Sequence, residues 1–141
     1  MTCRMSLGIA AILGSAVLPA IAASNIAFSV PEAESTWGVA INNNGDVAGT
    51  YIVSGGGPLQ AFVRTSGGRI APFDVPGATD TIVSSINDQG TIAGTWDAQS
   101  GGYIPHGFFR SAAGVITTFD PPGSVFTQSA LISNNGSIAG G

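Results

Sequence analysis

INNNGDVAG, residues Ile41 to Gly49, returns as INDQGTIAG (Ile86 to Gly94) and as ISNNGSIAG (Ile132 to Gly140). An Asn-rich turn made three times reads in three ways: a row of metal loops, a row of ligand loops, or one hairpin repeated. Its flanks decide for the hairpin. Apolar, β-branched residues alternate on both sides, and a Gly stands at the fourth place of the turn, where a left-handed backbone is needed after a type I turn.

The spacing extends well beyond this stretch. Phe28, Phe73 and Phe119 are 45 and 46 residues apart, as are Ile41, Ile86 and Ile132, and Gly49, Gly94 and Gly140. Phe62 and Phe108, Arg64 and Arg110, and Ile70 and Ile116 each differ by 46. A fixed period of this length is the mark of a repeat architecture. Within the second copy, four segments have strand character: Thr81 to Ile86, Thr91 to Trp96, His106 to Ser111 and Val115 to Phe119. Four strands in about 46 residues, joined by Gly-bearing turns, match one blade of a β-propeller. The expected fold is therefore all-β, a partial β-propeller with two full blades and one incomplete, preceded by a helical signal peptide. The repeats run over about 28–72, 73–118 and 119–141, the last incomplete. Ile26 to Val30 reads as the fourth strand of a preceding blade.

Composition agrees with this class. Charged residues make up 9% of the 141, while Gly supplies 21, which favours turn-dense sheet over helix or charged disorder. The first residues differ from all that follow. Arg4 and the amino terminus precede a 12-residue apolar run, Leu7 to Leu18, and Ala20-Ile21-Ala22 then offers the small-x-small pattern of a cleavage site. Residues 1–22 read as a secretory signal cut after Ala22 or Ala23, leaving 23–141 as the repeat region of a secreted or periplasmic protein. Cys3, the only cysteine, leaves with the signal, so the mature chain has no disulfide and no thiolate. Removal also leaves three arginines against eight carboxylates, a net charge of −5. A chain this acidic is a poor partner for nucleic acids, whose affinity rests on phosphate contacts, or for anionic membranes.

The motifs His106-Gly107-Phe108, more loosely Gln60-Ala61-Phe62, and the Ile-Asn-x-x-Gly segments resemble the bacterial extracellular repeat proteins of the HAF type. The Phe-Asp-x-Pro-Gly runs, Phe73 to Gly77 and Phe119 to Gly123, belong to the same kind of repeat. The resemblance covers nearly the whole mature chain. It implies an exported, propeller-like repeat protein without established chemistry, and it brings no catalytic residues with it.

The candidate sites are few. Asn42 to Asp46 and Asn87 to Gly90 suggest a calcium loop, but the Asp at position one and the Glu near position twelve of an EF-hand are missing, and SNNG of the third copy has no acid. His106 is the only histidine, which excludes a multi-histidine metal site; no metal or cofactor is expected. It matches Gln60, so a hydrogen-bonding role at a blade edge is the plainer reading. No Gly-x-Ser-x-Gly elbow occurs for a serine hydrolase. A glycosidase needs two facing carboxylates, and Asp74 and Asp120 are instead repeat equivalents that read as caps of their Pro-Gly turns. Tyr51 and Trp96 are equivalent and read as packing. Trp37 is not, since Ile82 and Gln128 take its place, and an aromatic of this kind can stack on a sugar or a peptide. Trp37 and His106 are thus the candidate ligand contacts.

The expected function is a noncatalytic exported module that binds a glycan or a protein, able to self-associate through blade edges. The alternative is a truncated fragment of a larger propeller enzyme, a hydrolase or lyase, whose active-site blades lie elsewhere. The stop at Gly141, where earlier copies continue Thr-Tyr or Thr-Trp, favours a truncated reading of a longer gene.

Overall fold

In a computed structural model the described residues are 25–53, 55–98, 102–128 and 130–141. They form ten strands, all in antiparallel sheets. Sheet I has the order β1 (Ala33–Ile41), β2 (Val47–Val53), β3 (Leu59–Arg64), β4 (Ile70–Phe73). Sheet II repeats it with β5 (Asp80–Ile86), β6 (Ile92–Asp97), β7 (His106–Arg110) and β8 (Ile116–Phe119). Sheet III is the pair β9 (Ala130–Ile132) and β10 (Ile138–Gly140). The four strands read from the second copy lie within one residue of β5 to β8. The signal-peptide reading falls on residues 1–22, outside the described ones.

Each Asn-rich segment is the β-turn between the first two strands of its sheet. Gly45, Gly90 and Gly136 have φ of 82°, 77° and 84°, a left-handed conformation that costs a side chain energy and glycine little. In the first turn Asn42 Oδ1 accepts the N–H of Asn44 (3.0 Å) and of Asp46 (2.9 Å). In the second, Asn87 Oδ1 accepts the N–H of Thr91 at 2.9 Å. Asparagine at this place closes the turn with its own side chain, which is why it recurs.

The expected strand at Ile26 to Val30 is absent: these residues are irregular. A ladder needs a neighbour to take up its N–H and C=O groups, and no described strand runs beside this segment. Phe28 nevertheless packs edge-on against Phe62, with centroids 5.8 Å apart at 71°, as Phe73 does against Phe108 at 6.3 Å and 70°. The guanidinium of Arg64 lies 5.2 Å from the Phe28 ring, and that of Arg110 lies 4.8 Å from the Phe73 ring. So the phenylalanine–arginine spacing in the sequence encodes a cation–π stack between neighbouring segments.

The core lies between sheets I and II. Ala48 and Ala61 of sheet I meet Val83, Ile86 and Ile92 of sheet II, all buried, with Val63 and Phe73 packed against them. Burial of such side chains stabilises the pairing by about 25 cal/mol per Å² of apolar surface removed from water. Ile41 is the equivalent of Ile86, yet it is 67% exposed, because no described sheet lies in front of β1.

The turns also join one sheet to the next. Asn42 Nδ2 donates to Asn87 O at 3.1 Å, and Asn87 Nδ2 donates to Ser133 O at 3.1 Å, so each first asparagine staples its sheet to the following one. Asn87 is 4% exposed. Asn87→Ala strands the Thr91 N–H and removes the staple, and is expected to lower stability by about 2 kcal/mol. Asn44→Ala, which removes one exposed bond to Asp88 O, should cost under about 1 kcal/mol. Paired urea denaturation curves check the difference.

A candidate binding cleft between the sheets

At the turn end of the molecule, sheets I and II do not close completely. A cleft of about 290 Å³ remains, lined by Asp46, Val63, Thr65, Arg69, Ala71, Ile86, Gly90, Arg110 and Ala112. Its two walls come from equivalent parts of the fold. Sheet I supplies the β1–β2 turn through Asp46 and the β3–β4 turn through Thr65 and Arg69. Sheet II supplies Gly90 and, beside the β7–β8 turn, Arg110 and Ala112.

The charged groups differ in how they are held. Asp46 is engaged at both oxygens: Oδ1 accepts Ser66 N–H at 2.9 Å, and Oδ2 accepts Asn42 Nδ2 at 3.2 Å. Arg110 donates to Ser111 O at 3.3 Å and stacks on Phe73, which fixes its plane without neutralising it. Partial burial makes its charged form less favourable and lowers its pKa from the ordinary value. Arg69 is exposed; its backbone N–H donates to Thr65 Oγ1 at 3.2 Å, and this ties down the turn rather than the guanidinium. Among the described residues the one ion pair is His106 with Asp120, so neither arginine of the cleft has a carboxylate partner. Arg110 repeats Arg64, whereas Val115 stands where Arg69 would repeat. Packing accounts for the first guanidinium and not for the second.

The two candidate ligand contacts lie elsewhere. Trp37 is in β1, opposite Thr50, and is 46% exposed. His106 begins β7, at the end of sheet II away from the Asn turns, where it pairs with Trp96. Its ring stacks at a tilt on Trp96 with centroids 5.4 Å apart, and Nδ1 is 2.8 Å from Asp120 Oδ2. Neither residue lines the cleft, and no contact joins the two. Trp96 Nε1 is buried and finds no acceptor among the described residues.

Asp74 and Asp120 do not cap the turns that follow them. Those turns close through their own backbones, Ala78 N–H to Val75 O at 3.0 Å and Ser124 N–H to Pro121 O at 3.0 Å. The carboxylates reach back across the sheet instead. Asp74 accepts Gln60 Nε2 and Ala61 N–H, both at 3.3 Å, and Asp120 binds His106 and accepts Thr127 Oγ1 at 2.8 Å. Burial raises the pKa of Asp74, and its hydrogen bonds only partly offset this. Burial also pushes Asp120 up, but the bonds from Thr127 and His106, the His106 charge and the Gly107 N–H outweigh it and hold the carboxyl below its ordinary value.

Asp88 is the clearest case of hydrogen bonds favouring a charge. It accepts Asn43 N–H at 2.9 Å, Asn43 Nδ2 at 2.8 Å and Asn134 Nδ2 at 2.7 Å, joining all three Asn turns. The Asn43 N–H leads in lowering its pKa below the ordinary 3.8. A depressed carboxylate contributes stability that is complete above the ordinary pKa and is lost as pH falls through the depressed one. Asp88→Asn is therefore expected to be less stable than the native chain at pH 7, with the gap closing below about pH 4. Denaturation midpoints measured across the acid range check the sign. These bonds also show what the asparagines do with their oxygens: Asn42 and Asn87 spend theirs on the N–H groups of their own turns, not on an open cation cradle.

Comparison with family models, with curated proteins and with solved structures finds no match to the chain.

Proposed function

We propose that the chain is an exported, noncatalytic repeat module, a partial β-propeller in which sheets I and II are neighbouring blades. It acts at the cell surface or in the periplasm by holding a glycan, or failing that a protein, in the cleft between them. The observation that carries this reading is the pair Arg69 and Arg110 in a preformed cleft whose single carboxylate, Asp46, is already engaged. A guanidinium remains protonated in proteins, so it orients and neutralises a ligand but moves no proton. The apolar start of the sequence and the HAF-type motifs support export and the propeller assignment. The acidity of the rest of the chain argues against nucleic acid as the partner.

One observation favours the alternative, a fragment of a propeller hydrolase or lyase. A histidine held through Nδ1 by an aspartate has the orientation of a general base. The equivalent pair in sheet I, Gln60 with Asp74, makes the same bond without a titratable base, which favours a latch in both sheets.

The experiment is to express the full chain in a bacterium and apply the secreted product to immobilised bacterial surface polysaccharides. A product starting at Ala23 or Ser24 that retains a polysaccharide of unchanged length supports the reading. Retention of Met1, or shortening of the bound polysaccharide, overturns it.

A further inference from the structure

We infer that the inter-sheet cleft takes the carboxylate of an acidic sugar, a hexuronate residue of a surface polysaccharide; this rests on the cleft being the binding site. The argument begins with charge. Two guanidiniums face a space with one carboxylate, in a chain whose overall charge is −4. An unpaired, partly buried guanidinium such as Arg110 gains most from an anion that can accept two parallel N–H bonds, and a planar carboxylate does so. Arg110 is already oriented by Phe73 and Ser111 O, so little rotamer freedom is lost on binding.

The remaining lining decides what the carboxylate is attached to. Val63, Ala71, Ile86 and Ala112 give an aliphatic wall, which suits the C–H face of a ring better than a fully hydrated inorganic ion. The Thr65 hydroxyl, exposed in the same lining, adds a polar group that a ring hydroxyl can use. The volume holds one sugar ring and leaves the mouth to its neighbours, the arrangement for a residue within a chain. A phosphate would use the arginines and leave the aliphatic wall idle.

Isothermal titration of the full chain with glucuronate, glucose and inorganic phosphate tests this. Glucuronate is expected to bind in the low-millimolar range, the order for a ligand of this size, with weaker binding as salt rises. Arg69→Gln and Arg110→Gln should each weaken it about tenfold. Arg64→Gln, the equivalent of Arg110 that stacks on Phe28 outside the cleft, should leave it unchanged. Glucose binding as well as glucuronate overturns the carboxylate assignment, and phosphate binding as well as glucuronate overturns the sugar. Ala112→Trp, which fills the mouth, separates the two levels of the argument. If it abolishes binding of whichever ligand is taken, the cleft stands and only the ligand class is at issue. If binding survives in Ala112→Trp, the cleft itself is not the site.

Discussion

Gly94→Ala is expected to lower the stability of the chain by about 3 kcal/mol or more, at the upper end for a single added methyl group. A Cβ at Gly94 would stand 2.0 Å from Ile82 O and 2.8 Å from Cε1 of Phe108. The carbonyl belongs to β5, the strand that pairs with β6, so room can be made only by parting the two strands. That parting breaks ladder bonds in a strand pair that carries Val83 and Ile92 of the buried core. Alanine ordinarily gains about 0.5–1 kcal/mol over glycine inside a strand, and the clash exceeds this several-fold. Gly49 repeats the arrangement, with Trp37 O at 2.0 Å and the Phe62 ring at 2.8 Å. Gly57→Ala is the comparison: the nearest atom to its Cβ is Val53 O at 3.7 Å, and its unfolding free energy from urea curves should differ from native by less than about 0.5 kcal/mol. Equal losses at Gly94 and Gly57 would show that close approach is not what selects glycine there.

Phe108→Ala is the second large effect, about 3–5 kcal/mol. Phe108 is fully buried, lies over Gly94 and meets the edge of Phe73 across the sheet boundary. Its removal costs the transfer energy of the ring and leaves a cavity that two packed sheets cannot collapse. It also leaves Phe73, and the Arg110 guanidinium stacked on it, without their support. Phe73→Ala alone should cost less, because Phe73 is only half-buried. The double variant should lose less than the two single losses added together, by about 0.5–1.5 kcal/mol for the edge-to-face pair. Strict additivity in thermal or urea unfolding would mean that the two rings do not act on each other.

Much of the strand plan is legible because it rests on local chemistry. Asn-x-x-Gly demands a particular backbone, alternation demands a sheet, and the period of 45 to 46 aligns one copy with another. The strand read at Ile26 to Val30 fails because strand formation is not local: the same residue pattern that pairs as β4 has no ladder partner at the start of the described chain. The roles of Asp74 and Asp120 were hidden for a related reason. Their partners Gln60 and His106 are 14 residues away and come near only when β3 meets β4 and β7 meets β8. Of the site, Trp37 and His106 stand out in sequence by rarity, whereas Arg69 and Arg110 come together only by the stacking of two sheets. One signal for the cleft was present in the alignment of the copies: Arg69 faces Val115, a charge that the repeat does not require.

The asparagine staples also give the row of sheets a direction. In each one the side-chain donor belongs to the earlier copy and the main-chain acceptor to the later, so the bond from Asn42 to Asn87 and the bond from Asn87 to Ser133 point the same way. Serine at position 133 breaks the relay. It accepts from Asn87 as its predecessors would, but it has no amide to hand forward, and its hydroxyl turns to Asn135 and Ser137 of its own turn. The third copy is therefore a receiver that is not a sender. A unit added ahead of the first would have to bring its own asparagine, and Asn42 O offers the place for it to bind.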